Sequence, residues 1–213
     1  MYTSSIFNIK IDFGKSHGSY LYDKNRGREY LDFFGGYSTL PLGYNHPVFD
    51  SSYVKTIARI ASVKIPNCEW ITDEGLEFYQ NFASHSPMFQ HFHFCCTGAL
   101  AVEAAIKTAM EATGKWGIVS LLNSFHGING YASFVSGRFS PVDNHLEGFP
   151  EVEWCRRTDL LHEIEWYLRA ESVAALLIEP IQSTYGDYYL DRDSLYQVRG
   201  ICDKVNVPLI FDE

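Results

Sequence analysis

The chain has 213 residues, of which 46% are hydrophobic, 15% aromatic and 20% charged, with a formal net charge of -9 and a pI near 5.3. Its Lys and Arg are scattered singly or in pairs such as Arg156-Arg157, and an acidic chain with no basic face argues against a nucleic-acid partner, because neutralising phosphates needs one. No apolar run nears the ~18 residues of a membrane span, and the first residues, Met1-Tyr2-Thr3-Ser4-Ser5, lack the basic and apolar regions of a secretory leader; a cytoplasmic protein without a membrane partner is expected.

Residues 19–34 predict a β-hairpin. Tyr20, Tyr22, Tyr30, Leu31, Phe33 and Phe34 flank the turn Asp23-Lys24-Asn25-Arg26-Gly27, whose glycine can supply a positive φ. Gly35-Gly36 near Gly43 is the nearest approach to a dinucleotide fingerprint, but it lacks the strand–turn–helix context. Pro47 is expected to open a helix, since its missing N–H falls among the unpaired first-turn donors. Val54, Ile57, Ala58 and Ala61 carry that helix to about Val63. A boundary is expected near residues 60–70, giving a hairpin-and-helix segment (1–65) and a main sheet domain (66–213).

From residue 92 the pattern alternates between strand and helix. Phe92 to Cys96 predicts a strand, and Thr97 to Ala112 a helix whose small-residue face is Leu100, Ala101, Ala104, Ala105 and Ala109. Gly117 to Leu122 and Val173 to Ile178 predict strands, Ser194 to Lys204 a helix, and Val207 to Phe211 the last strand. Val135 to Arg157 predicts a long ordered loop, of the kind that is often functional in compact α/β domains. Short apolar strands alternating with helices predict a largely parallel sheet covered on both faces. Five cysteines, Cys68, Cys95, Cys96, Cys155 and Cys202, include no C-x-x-C pair and are odd in number, so buried reduced thiols are expected. His91 and His93 share a face if their segment is a strand, but spacing suggests no third metal ligand.

Four motifs carry chemistry, each beside a plainer reading. Thr97-Gly98-Ala99 leads through small residues into a helix, where exposed N–H groups and the macrodipole favour an anion such as phosphate; the same string also suits a tightly packed turn, with Thr97 as N-cap. Phe125-His126-Gly127 follows an apolar strand, where Phe125 can stack on a flat ligand and His126 can bond to one, or both can simply pack. Glu179-Pro180-Ile181-Gln182 follows another, where Glu179 can order polar neighbours and Gln182 can touch a ligand, or both can be ordinary loop residues. Asp212 ends a hydrophobic strand, where open α/β sheets bind ligands. A strand ending in Asp-Glu also describes a Walker B element. That reading requires G-x-x-x-x-G-K-[ST] before a helix, whereas Gly114-Lys115 follows a helix and precedes Trp116, and Gly14-Lys15-Ser16 has Ile9 where the first glycine is required.

Taken in order, these elements resemble the class III (fold type I) aminotransferases that use pyridoxal 5'-phosphate, across nearly the whole chain. The resemblance runs from Tyr30-Leu31-Asp32-Phe33 through Leu42-Gly43-Tyr44-Asn45-His46-Pro47, Gly98-Ala99-Leu100-Ala101-Val102-Glu103, Phe125-His126-Gly127 and Glu179-Pro180-Ile181-Gln182 to Ile210-Phe211-Asp212-Glu213. Within the class, Gly98 to Glu103 and Phe125 to Gly127 look most like the L-lysine 6-aminotransferases. The resemblance implies an α/β fold, the fold type I large domain with a mostly parallel central sheet and flanking helices, here incomplete, plus a small N-terminal segment.

It further implies that Gly98 and Ala99 supply phosphate-binding N–H groups, that Phe125 stacks on the pyridine ring with His126 beside it, that Asp212 pairs with the protonated ring nitrogen, and that Glu179 shapes the pocket. The Schiff-base lysine of such enzymes lies on a later strand, past Glu213, and neither Lys107 nor Lys115 substitutes for it, so this chain alone is expected to be inactive. Where L-lysine 6-aminotransferases have an Arg after Phe-His-Gly, this chain has Ile128; where many relatives read Gln-Gly-Glu, it has Gln182-Ser183-Thr184. The expected activity of the full-length protein is transamination between an amino acid or amine, the L-lysine ε-amino group included, and a 2-oxo acid, in a homodimer. The competing readings are a non-catalytic interaction or regulatory module, or another reaction on the same scaffold, such as that of an aminomutase or decarboxylase.

Overall fold

A computed structural model describes residues 8–49, 51–63, 71–137 and 148–213. The chain divides into two compact units, residues 1–87 and 88–213. The boundary expected at residue 65 lies outside the described residues, as does Cys68.

In the first unit, Tyr20–Asp23 (β1) pairs antiparallel with Arg28–Leu31 (β2) in the hairpin that the sequence predicts. Its turn is fixed by Asp23, whose buried carboxylate accepts from the backbone N–H groups of Lys10 and Asn25 and from Arg26 Nη1 at 2.7 Å. Burial pushes this carboxyl upward, but the donors outweigh it and hold it below the usual range. The glycine passage that follows is a tight turn, Gly35–Ser38 (α1), in which Gly35, Gly36 and Tyr37 all have positive φ. Pro47 does not open the next helix. The carbonyl of His46 accepts from Phe49 N, and its ring Nδ1 accepts from Val48 N, so Pro47 is used in a turn. The helix, Ser51–Val63 (α2), starts beyond it. A helix that the sequence reading missed, Asp73–His85 (α3), is capped by Thr72 Oγ1 accepting from Gly75 N, with Asp73 and Glu74 in its first turn and His85 in its last, matching the helix dipole.

The second unit holds a parallel four-stranded sheet in the spatial order Val152–Cys155 (β4), Gly117–Leu121 (β3), Val173–Ile178 (β5), Leu209–Phe211 (β8). Gly117–Leu121 (β3) and Val173–Ile178 (β5) are buried at every position, as expected of parallel strands covered on both faces. Alternation along them sorts the core. Ile118, Ala175 and Leu177 face Val102, Ile106, Ala109 and Met110 of Gly98–Thr113 (α4) and Ala132 of Gly130–Phe134 (α5). Val119, Leu176 and Ile178 face Ile164 of Leu160–Tyr167 (α6) and Val198 and Cys202 of Arg192–Val205 (α7). Each fully buried Leu or Ile contributes about 1.5–3 kcal/mol of transfer free energy. Leu209–Phe211 (β8) lies beside β5, and Val152–Cys155 (β4) beside β3. A two-residue antiparallel pair, Ile181–Gln182 (β6) with Tyr188–Tyr189 (β7), follows β5.

Two further expectations need correction. Phe92 to Cys96 is not a strand, and its rings stack on each other, Phe92 on Phe94 with centroids 6.4 Å apart. The long loop expected from Val135 to Arg157 is shortened by β4, whose polar Glu153 hid the strand pattern; residues 138–147 lie outside the described residues. The core side of α4 is Val102, Ile106, Ala109 and Met110. Ala101, Ala104 and Ala105 of the small-residue face line an open groove of about 750 Å³ with Leu209, Ile210 and Phe211 of β8.

The first unit also contains a position where only glycine fits. Gly43 has φ +73, a Cβ there would overlap the carbonyl oxygen of Gly18, and Gly18 and Tyr44 exchange backbone hydrogen bonds of 2.9 and 2.8 Å beside it. Gly43→Ala is expected to destabilise the protein by about 2 kcal/mol, from left-handed backbone strain and the lost close approach together. Chemical denaturation measures the difference, and an unchanged midpoint would refute the packing described.

Candidate active site

Parallel pairing brings the C-terminal ends of β3, β5 and β8 to one sheet edge, and the next residue of each chain segment emerges there. Glu179 follows β5, and Asp212 follows β8, where its N–H extends the ladder by donating to Ile178 O at 3.0 Å. After β3 the chain turns sharply, with Asn123 at φ 65 and Ser124 N bonded to Leu121 O, and returns over the edge as Phe125-His126-Gly127.

Hydrogen bonds between these segments lock the edge. Phe125 N donates to Glu179 Oε2 at 2.8 Å, and His126 Nδ1 lies 2.7 Å from Asp212 Oδ2. His126 Nε2 lies 3.2 Å from Ser120 Oγ, and His126 N donates to Ser136 Oγ. Gln182 is buried; its Nε2 donates to Leu122 O at 3.1 Å, and its Oε1 has no partner among the described residues. Glu179 is buried as well. Desolvation pushes its carboxyl up, the Phe125 N–H and the His126 charge pull it down, and the neighbouring Asp212 adds to the rise; the net direction is upward.

The helix start joins this edge from the other side. Thr97 acts as the N-cap, its Oγ1 accepting from Leu100 N at 3.2 Å, and this leaves its hydroxyl proton free to donate. The first N–H groups of α4, including those of Gly98 and Ala99, fall outside the helical ladder. Gly127 packs so closely on Ala99 that an added Cβ would come within 2.6 Å of the Ala99 Cβ, whereas a Cβ at Gly98 would meet nothing within 4 Å. Gly98 therefore borders open space, with helix N–H groups above it.

Phe125, His126, Glu179 and Asp212, singled out from sequence, are thus joined by direct hydrogen bonds, and Gly98 and Ala99 adjoin them through Gly127. His126 has both ring nitrogens engaged by protein atoms, so it reaches a ligand through Asp212 or by its ring face. Thr184 Oγ1 is buried without a partner among the described residues, and Ile128 is 71% exposed. Sequence reading missed Ser120, Ser124 and Ser136. The available signal was Ser120 itself, one hydroxyl inside the apolar run Ile118-Val119-Ser120-Leu121.

A doubly covered parallel sheet with two carboxylates, an imidazole and a helix N-terminus on its C-terminal edge defines an α/β domain of the ligand-binding kind. The class-III aminotransferase family model matches residues 1–213, and the chain belongs to that family. It is 31% identical over 221 residues to an acetylornithine aminotransferase of Clostridium acetobutylicum, covering 100% of this chain and 54% of the relative. It is 28% identical over 242 residues to an L-lysine-epsilon aminotransferase of Mycobacterium tuberculosis, covering 97% and 53%. The solved lysine aminotransferase of M. tuberculosis superposes with a TM-score of 0.82 at 26% identity, covering 99% of this chain and 56% of that one. The fold is therefore that of the aminotransferases, and the chain spans about half the length of the relatives it matches.

The raised Glu179 carboxyl has a testable consequence. Its folded-state value lies above the ordinary 4.5, so the folded state binds the extra proton: stability from this group is greatest below the unfolded value and falls as pH rises through the folded one. Glu179→Gln keeps an acceptor for Phe125 N and carries no charge. The melting temperature of the variant relative to wild type is expected to increase as pH rises from about 4 to about 7; a difference independent of pH would rule out the buried ionised carboxylate.

Proposed function

We propose that this sheet edge holds pyridoxal 5'-phosphate and that the full-length protein is a transaminase, passing an amino group from an amino acid or amine to a 2-oxo acid. The observation that carries this reading is the joined set of Phe125, His126, Glu179 and Asp212 beside the open space at Gly98. The residues fit the group. A phosphate suits the unpaired N–H groups of Gly98 and Ala99 and the spare hydroxyl proton of Thr97, a flat heterocycle suits Phe125, and a protonated ring nitrogen suits the Asp212 carboxylate, which remains 23% exposed.

Bound pyridoxal phosphate supplies an electron sink for a carbanion next to the transferred nitrogen. This chain's own residues bind and orient. Asp212 holds the proton on the ring nitrogen by offering it an anion. His126 braces Asp212 from behind. Glu179 fixes the Phe125 backbone and so sets the height of the aromatic ring. Ile128 presents apolar surface where an Arg fork would grip a carboxylate, and Thr184 places no acid in the following turn. The L-lysine ε-amino group is the first donor to test, because lysine aminotransferase is among the structural neighbours.

The three lysines of residues 88–213 do not serve as a cofactor anchor. Lys107 Nζ lies 2.5 Å from Glu103 Oε1 and over the Tyr131 ring, while Lys115 and Lys204 precede β3 and β8 and so sit toward the opposite sheet edge. In this reading the covalent lysine is supplied from the part of the relatives' length that this chain does not span. A homodimer accords with the exposed apolar side chains Tyr53, Val54, Ile57 and Ile60 of α2, and a cytoplasmic setting with free thiols at Cys155 and Cys202, which burial pushes up to about 12 and about 11.

Two outcomes follow. Borohydride reduction of the 213-residue chain mixed with pyridoxal phosphate should modify no single lysine stoichiometrically, as read by peptide mass spectrometry; one fully labelled lysine would overturn the assignment of the anchor. In the full-length protein, Asp212→Ala should lower kcat/KM for glutamate formation from 2-oxoglutarate and an amine by at least about 100-fold, through loss of about 3 kcal/mol of ring-charge stabilisation. A loss below threefold would remove Asp212 from the site.

A further inference from the structure

Ser120 is fully buried in the middle of β3. Its Oγ lies 3.2 Å from each of three atoms: His126 Nε2, Ser124 Oγ and Val135 O. Ser124 Oγ in turn lies 3.3 Å from Val135 O and accepts from Gly137 N at 3.1 Å.

Counting protons decides how this nest can be satisfied. Four contacts need a proton from a hydroxyl or from the imidazole: Ser120 with His126, Ser120 with Ser124, and each serine with Val135 O. The serines bring one proton each and the carbonyl brings none. A neutral His126 with its proton on Nδ1, facing Asp212, adds nothing on the serine side, so two contacts go without. A proton on Nε2 as well satisfies a third: His126 donates to Ser120, Ser120 donates to Val135 O, and Ser124 donates to one of the two remaining acceptors. The nest is rich in acceptors. Across the ring, the 2.7 Å approach of Nδ1 to Asp212 Oδ2 is the length of a charge-assisted bond, and the buried Glu179 carboxylate is a second anion acting on His126.

We infer that Ser120 is a positioning residue: its Oγ accepts a hydrogen bond from the Nε2–H of His126, holds that ring as an imidazolium against Asp212, and thereby keeps Asp212 an ionised carboxylate. The inference depends on the proposed cofactor site only for what Asp212 then meets, an anion being the form that pairs with a protonated ring nitrogen. Ser124 is dispensable to the arrangement, because Ser120 can accept from Nε2 and donate to Val135 O without it.

Nitrogen NMR of the full-length protein carrying 15N-histidine, without cofactor and at neutral pH, tests the arrangement. Both ring nitrogens of His126 should give N–H-type signals in wild type and in Ser124→Ala. In Ser120→Ala, Nε2 should turn into a bare, acceptor-type nitrogen while Nδ1 keeps its proton. A bare Nε2 in wild type, or a Ser120→Ala spectrum identical to wild type, overturns the inference. Should Ser120→Ala fail to fold, the wild-type and Ser124→Ala spectra decide it alone. Titration with pyridoxal phosphate is the separate readout of the site: Ser120→Ala should weaken binding by up to about tenfold, the worth of one charge-assisted hydrogen bond. No binding by wild type would overturn the cofactor reading, while the ring spectrum still decides the protons.

Discussion

One hydrogen bond between segments 86 residues apart, from His126 to Asp212, depends on everything around it being in register. It forms because β3, β5 and β8 run parallel and end at a common edge, so that residues far apart in sequence emerge side by side. A slip of one residue in β8 would turn Asp212 to the other face of the sheet. The apolar runs of β3 and β5 fix that register from both sides: Val119, Leu176 and Ile178 pack on α6 and α7, while Ile118 and Leu177 pack on α4. The hydrophobic core is thus what aims the polar edge.

Burying this much charge is costly unless every group is partnered. The edge meets that condition mainly with backbone groups and short side chains. Glu179 takes the Phe125 N–H, Asp212 takes the His126 ring, and the ring leans on a serine whose other bonds end at a main-chain carbonyl. Few long flexible side chains take part, so little rotamer entropy is lost on assembly. Gln182 Oε1 and Thr184 Oγ1, buried without partners among the described residues, mark where the same region is left unsatisfied.

The parallel sheet was legible because it leaves one-dimensional traces, and the residues proposed for the site carry traces of the same kind. An apolar run ending in an acid singles out Glu179 and Asp212, and a small-residue string before a helix singles out Gly98 and Ala99. Short or mixed elements left no such trace. β4 carries Glu153 in four residues, and α3 buries no side chain, so neither shows clean periodicity. Phe92 to Cys96 had strand composition, which by itself does not make a strand. The serine nest was invisible for a related reason: Ser120, Ser124 and Val135 meet only after the chain folds back over its own sheet edge.

The Asp212 amide, bonded to the Ile178 carbonyl, places its carboxylate by main-chain geometry. Apart from the His126 ring bonded to that carboxylate, the surrounding loops can then diverge without re-aiming the acid. Under the proposed reading, the acid that meets the cofactor would be inherited with the sheet, and positions around it, such as exposed Ile128, would be free to vary.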